Sequence, residues 1–326
     1  MTGVLSVKKK RVIILKITQK SQEAKMSTRE EIQKLKKEKN AVILAHYYVN
    51  DEVQEIADYI GDSFYLSKVA TKIDAAQIIF AGVSFMGESA KILNPAKRVF
   101  MPDAGADCAM AHMVDMKKIT QMREQYEDLA VVCYINSTAE IKTFSDVCVT
   151  SANAVKIVKN LPNKNIFFIP DGNLGEYVKE QIPEKNVILN NGYCPIHAAM
   201  TTEQVKKAKE TYPDAEFLVH PECKKEILAM ADYIGSTSGI INYATNSEKT
   251  EFIIGTENGV FYELKKKNPG KKFYPLSEKG ICQDMKTITL TKILNVLKNE
   301  ENEVFVSDEV RQKAMRPLER MLALAE

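Results

Sequence analysis

No CxxC pair, no cluster of closely spaced cysteines and no apolar run near the roughly 18 residues of a membrane span occurs in this chain. The missing cysteine pairs argue against a disulfide framework. With no secretory signal, the six scattered cysteines (Cys108, Cys133, Cys148, Cys194, Cys223, Cys282) point to a reducing cytoplasm. The missing apolar run excludes a membrane-spanning helix. Net charge is nearly absent at +2, and it is unevenly placed: residues 1–25 carry +6 and the remainder −4. A mildly acidic body does not suit nucleic-acid binding. The leader KKKRVIILK has too short an apolar stretch for a secretory signal, and no small-residue cleavage site follows it. Residues 1–26 are expected to be a basic, poorly ordered extension, or sequence upstream of a start at Met26.

What is present is an ordinary soluble composition, 45% apolar and 27% charged, in a chain of 326 residues that suggests two or three domains. It also holds a repeat. ADYIGDS (57–63) returns as ADYIGSTS (231–238), and SDVCVTSANAVKIV (from Ser145) lies between them, with Asp146 88 residues after Asp58 and 86 before Asp232. His46, Tyr134 and His220 keep the same step, as do Phe80, Phe168 and Ile254, and Cys108, Cys194 and Cys282. So many landmarks sharing one step establish a threefold repeat. Within each copy, short apolar runs alternate with helical stretches, as at 41–46, 58–61, 77–81 and 98–101 in the first. Such runs read as buried parallel strands. The fold class is α/β: three pseudo-threefold-related, three-layer αβα domains, each with a four-stranded parallel sheet. The units are expected at 27–125, 126–212 and 213–290, with 291–326 as a helical closure.

Ligands of open parallel sheets bind beyond the carboxyl ends of the strands. His46, Tyr134 and His220 close the first strand of each copy, followed two residues later by Tyr48, Asn136 and Glu222. Ser63, Ser151 and Ser236–Thr237 follow the second strands, where helices begin. Each is a natural N-cap, but three converging helix N-termini would attract phosphate or carboxylate. Among the four histidines, His46 and His220 are repeat-equivalent and are read as functional, His197 is intermediate, and His112 is read as a surface or structural residue. Cys133, Cys148 and Cys223 read as small buried hydrophobes. Cys108, Cys194 and Cys282 instead sit in loops after the fourth strands, so each copy can donate one thiolate to a shared centre. Zinc on these thiolates with His197 is one option. A three-thiolate iron–sulfur cubane with one open iron is the other. Glu222 is a candidate general base.

These residues together resemble the quinolinate synthase family (quinolinate synthetase A), iron–sulfur enzymes of NAD biosynthesis. The resemblance rests on AHYYVNDEVQEIADYIGDS (45–63), FMGESAKILNP (85–95), MPDAGADCAM (101–110), YINSTAEIK (134–142), TSANA (150–154), GYCPIH (192–197), HPEC (220–223), ADYIGSTSG (231–239) and CQDMK (282–286), and it covers roughly 27–325. It implies condensation of iminoaspartate with dihydroxyacetone phosphate to quinolinate, with loss of phosphate and two waters. It also implies a [4Fe-4S] cluster on Cys108, Cys194 and Cys282 whose open iron is a Lewis acid. His46, Tyr48, Ser63, Phe85, Tyr134, Asn136, Ser151, His220, Glu222, Ser236 and Thr237 would line the substrate cavity, with Tyr48, Tyr134, His220 and Glu222 in the chemistry. An aspartate oxidase or dehydrogenase would supply iminoaspartate. The pair VN at 49–50 and the basic leader depart from the family pattern without touching a proposed ligand; the CxxCxxC cluster that some members carry near the C-terminus is missing, so redox regulation through one is not expected. Rival expectations are a different iron–sulfur hydro-lyase, or a redox sensor that needs neither Tyr134, Asn136 nor Glu222.

Overall fold

A computed structural model describes residues 27–325; the expected leader at 1–26 lies outside the described residues. Helix α1 (Thr28–Glu38) opens on a capping box, in which the Ser27 hydroxyl accepts the Glu30 N–H and the Glu30 carboxylate accepts the Ser27 N–H. The first unit follows as β1 (Ala41–His46), α2 (Asp51–Ile56), β2 (Tyr59–Gly61), α3 (Ser63–Ala70), β3 (Gln77–Ala81), α4 (Ser84–Leu93) and β4 (Arg98–Phe100). After α5 (Met116–Gln125) the pattern recurs as β5 (Leu129–Tyr134), α6 (Ala139–Lys142), β6 (Val147–Val149), α7 (Ala154–Asn160), β7 (Asn165–Ile169), α8 (Gly172–Gln181) and β8 (Asn186–Leu189). The turn α9 (Pro195–Ala198) and α10 (Thr202–Thr211) lead to β9 (Glu216–Val219), α11 (Lys225–Leu228), β10 (Tyr233–Ile234), α12 (Thr237–Asn246), β11 (Glu251–Gly255), α13 (Val260–Lys267) and β12 (Lys272–Pro275). The short α14 (Gln283–Lys286), α15 (Leu290–Asn299) and α16 (Asp308–Ala325) complete the chain.

The result is α/β with three parallel four-stranded sheets, ordered β2-β1-β3-β4, β6-β5-β7-β8 and β10-β9-β11-β12. Phe80 pairs with Leu44, Phe168 with Val132 and Ile254 with Leu218, so the sequence repeat is also a repeat of strand register. The central strands are apolar between their ends because helices cover both faces; every residue of β3 and β5 is buried.

The repeated aspartate acts at the β1–β2 junction of each copy. Asp58 Oδ2 accepts the Ile43 N–H at 2.8 Å, while Asp146 and Asp232 accept those of Val131 and Phe217, each at 2.7 Å. Each aspartate N–H in turn donates to the carbonyl of that same strand residue. The two-way clamp fixes the second strand against the first, and thereby places the polar residues that follow both. Helix α15 packs on α1 and β3, and α16 lies across α4, β6, α6 and α7, tying the first sheet to the second through buried Ala314, Leu318 and Met321.

Candidate active site

The three sheets direct the carboxyl ends of their strands at one cavity of about 270 Å³. His46, Tyr48, Ser63, Phe85, Tyr134, Asn136, Ser151, His220, Glu222 and Thr237 line it together with Cys108, Cys194 and Cys282. Ser236 does not. It is the N-cap of α12 and spends its hydroxyl on the Gly239 N–H. The other helix starts also differ from the simple N-cap pattern. Asp62 caps α3, leaving Ser63 in the first turn, and Asn153 precedes α7. The Ser63 and Ser151 hydroxyls are therefore not spent on capping. His112 is exposed and pairs with Asp107, outside the cavity. Cys133, Cys148 and Cys223 are buried in the cores.

A single hydrogen-bonded chain crosses the cavity wall. The Tyr48 hydroxyl meets Thr237 Oγ1 at 2.7 Å and Thr256 Oγ1 at 2.8 Å, and Thr256 Oγ1 meets His197 Nε2 at 2.9 Å. His197 Nδ1 faces Glu222 Oε2 at 2.8 Å, and Glu222 Oε1 accepts the Tyr134 hydroxyl at 2.5 Å. Burial, and then the charge of Glu222, holds both tyrosines well above their ordinary range, so each keeps its proton. Burial alone would raise Glu222, but the His197 ring and the Tyr134 O–H hold it well below the carboxylate range. The chain thus links a carboxylate to two protonated phenols contributed by different units.

Two turns repeat the same imidazole geometry. His46 Nδ1 accepts the Tyr48 N–H at 3.2 Å and His220 Nδ1 accepts the Glu222 N–H at 3.3 Å. This places the proton of each neutral ring on Nε2, which in His220 lies 3.2 Å from Ser151 Oγ. Burial pushes both imidazoles down to about 3. Asn136 Oδ1 and Thr150 Oγ1 are buried without partners on the cavity wall, poised for a ligand.

Two sets of side chains bear on a metal. The first is the three thiols, each just ahead of a short helical turn whose backbone N–H groups lie near the sulfur: Met110 and Ala111 at Cys108, His197 at Cys194, Asp284 and Met285 at Cys282. Such N–H donors stabilise sulfur chiefly as thiolate. Burial meanwhile pushes the free thiols up, that of Cys108 to about 12. An all-sulfur set so arranged fits an iron–sulfur cluster and offers little to a hard cation. The second set is Cys194, His197 and Glu222, whose donor atoms lie within 4.8 Å of one another.

Sequence reasoning missed Thr256 and Glu257 and left His197 undecided. Glu257 is 1% exposed; its carboxylate accepts the Cys282 N–H at 3.1 Å and the Gly259 N–H at 2.6 Å, and pairs with Lys286 at 3.2 Å. Lys286 also donates to the Tyr48 carbonyl, joining the Cys282 loop to the Tyr48 turn. The repeat register could have found the pair: 256 and 257 are the counterparts of Pro170 and Asp171, just past the third strand of the second copy.

A buried cavity at the focus of three parallel αβα units, with a thiol from each, a carboxylate–phenol relay and orphaned polar atoms, defines an enzyme site for a small polar substrate. The family model described as quinolinate synthetase A protein matches residues 30–323. Quinolinate synthase of Fusobacterium nucleatum is 58% identical over 297 residues, 91% of this chain and 99% of that protein. That of Clostridioides difficile is 54% identical over 296 residues, 91% and 97% of the two chains. Quinolinate synthase 2 of Methanosarcina acetivorans is 49% identical over 296 residues, 91% and 95%. This chain belongs to the quinolinate synthetase A family. No helix among the described residues is long and apolar enough to cross a membrane.

Proposed function

We propose that this chain condenses iminoaspartate with dihydroxyacetone phosphate to give quinolinate, phosphate and two waters, the pyridine-forming step of NAD biosynthesis. The observation that carries the proposal is the relay Tyr48–Thr256–His197–Glu222–Tyr134 set beside three convergent thiols. Both substrates are anionic. The Ser63 hydroxyl and the O–H of Ser151, whose oxygen accepts the His220 Nε2–H, suit their phosphate and carboxylates, as do the first-turn N–H groups of α3 and α12. Asn136 and Thr150 offer their unpartnered oxygens to an amine or hydroxyl of the substrate. Phe85, 1% exposed on the wall, keeps water from the ring-closing carbons.

Enolisation, imine formation and two dehydrations each move a proton. Glu222, ionised at rest, takes it; Tyr134 and Tyr48, protonated at rest, give it to a departing hydroxyl, and His197 with Thr256 returns protons between them. Cys108, Cys194 and Cys282 would hold a [4Fe-4S] cluster with one iron lacking a protein ligand, which when bound supplies a Lewis acid for a substrate hydroxyl or carboxylate. Iminoaspartate hydrolyses readily, so an enzyme that oxidises aspartate is the expected partner.

The test is anaerobic purification, with quinolinate assayed on iminoaspartate generated in place. We expect about four iron and four sulfide per chain, lost with any one of the three cysteines. Glu222→Gln is expected to lower turnover roughly 10²- to 10⁴-fold while sparing the cluster. No uptake of iron and sulfide on reconstitution overturns the cluster. A loaded cluster without quinolinate would favour another hydro-lyase, and full activity in Glu222→Gln removes the role given to that residue.

A further inference from the structure

Cys194 belongs to both donor sets at once, and the second set has the surroundings of a metal site. Its sulfur lies 3.2 Å from His197 Nδ1, which lies 2.8 Å from Glu222 Oε2. Each remaining polar atom is already engaged: His197 Nε2 with Thr256 Oγ1 at 2.9 Å, and Glu222 Oε1 with the Tyr134 hydroxyl at 2.5 Å. Outer partners of this kind orient metal-bound histidines and carboxylates. His197 and Glu222 are 2% and 3% exposed, so neither strays far from its place.

We propose that the chain without its cluster binds one zinc ion through Cys194 Sγ, His197 Nδ1 and Glu222 Oε2, and that this zinc excludes the cluster. The exclusion rests on the three-thiol assignment above; the zinc site itself does not. Tetrahedral zinc holds its donors at about 2.0–2.3 Å, hence roughly 3.3–3.7 Å from one another. The two contacts to His197 therefore need to open by a few tenths of an ångström to roughly half an ångström, and Cys194 Sγ and Glu222 Oε2, within 4.8 Å of each other, have to settle at that same spacing. Zinc enters without redox change, displacing the Cys194 thiol proton to solvent and taking the Nδ1 lone pair of a neutral His197 ring whose one proton sits on Nε2, facing Thr256 Oγ1. With a thiolate, a carboxylate and a neutral imidazole the complex is uncharged, which suits a buried cavity; the three cysteines alone would leave zinc with a net negative charge beside Glu222. A water on the cavity side completes the coordination. Zinc so bound removes one thiolate from the cluster and breaks the relay at its centre.

The metal-free, full-length chain is to be titrated with zinc against a chromophoric chelator. Cobalt(II) replaces zinc in a parallel series, to read tetrahedral sulfur–nitrogen–oxygen bands. We expect a single tight zinc, retained when Cys108 and Cys282 are both changed to Ala and weakened more than tenfold in His197→Gln. Thr256→Val, nearly isosteric, should weaken it roughly 10- to 100-fold and still accept iron and sulfide. Zinc-loaded chain should take up no cluster until a chelator removes the zinc. The proposal falls if no zinc binds, if His197→Gln keeps zinc that the Cys108/Cys282 variant loses, or if cluster loads with zinc in place. Tight zinc at this site in a chain that never accepts a cluster upholds the site and overturns the three-thiol assignment alone.

Discussion

His46 shows how a single buried side chain ties the site to pH. Its Nδ1 accepts the Tyr48 N–H, so the ring serves only while neutral; protonation turns that acceptor into a donor facing a donor. The folded ring titrates near 3 because burial penalises its charge, whereas an unfolded histidine titrates near 6.5. Above about pH 6.5 both states are neutral and the native fold suffers no penalty. Below it the unfolded chain binds the proton first, so stability falls as pH drops from about 6.5 to about 3. The limiting slope for this one proton is about 1.4 kcal/mol per pH unit. His46→Gln keeps an acceptor for Tyr48 and removes the titration. Urea unfolding between pH 6.5 and 4 should therefore be less steep in pH for the variant, and parallel curves would rule His46 out. At this scale the sequence exposed whatever the repeat marked, including His46, His220 and the three cysteines. It did not expose Thr256 and left His197 undecided, since the importance of both lies in being the links between other residues.

Among the elements, the β1–β2 junction and its two counterparts explain why the chain spells the same aspartate three times. The carboxylate of Asp146 accepts the N–H of Val131, a fully buried strand residue, and also pairs with Arg123 at 2.8 Å. The two bonds are not equal. The ion pair is 40% and 33% exposed and is worth roughly 0–1 kcal/mol. The backbone bond satisfies a donor with no water to turn to, and its loss costs about 1.5–3 kcal/mol. Asp146→Ala should therefore lose that amount in urea unfolding, and Arg123→Ala much less. Equal losses would mean that the ion pair, rather than the clamp, holds the strands. Strand and helix positions were legible because parallel strands buried on both faces must be continuous apolar runs. Helix starts were legible only approximately, since Asp62 rather than Ser63 caps α3 and Asn153 precedes α7. An acid or amide beside a hydroxyl leaves the choice of cap to the local backbone.

Across the whole molecule, the cavity exists only where units from different parts of the chain meet, and one close meeting is at the Tyr48 turn. Gln54 Nε2 donates to the carbonyls of Tyr47, Val49 and Gly259, Asn50 Nδ2 to those of Lys286 and Ile288, and Lys286 Nζ to that of Tyr48. None of these residues repeats, so no periodicity announces the junction. Gly259 is where it has no room: a Cβ there would lie 2.6 Å from Tyr48 Cα and 2.7 Å from the Tyr47 oxygen. Both neighbours are backbone and cannot rotate away, so Gly259→Ala must part the third unit from the first. Tyr48 would then leave Thr237 and Thr256, severing one end of the relay while Glu222 and Tyr134 stay paired within their own contact. The expected outcome is quinolinate formation reduced at least tenfold, with far-UV circular dichroism unchanged and iron and sulfide still bound. A companion Gly270→Ala, whose Cβ would meet nothing within 4 Å, should leave activity at the wild-type level. If Gly259→Ala is as active as the companion, the junction yields without disturbing Tyr48, and the relay does not depend on how the first and third units are held together.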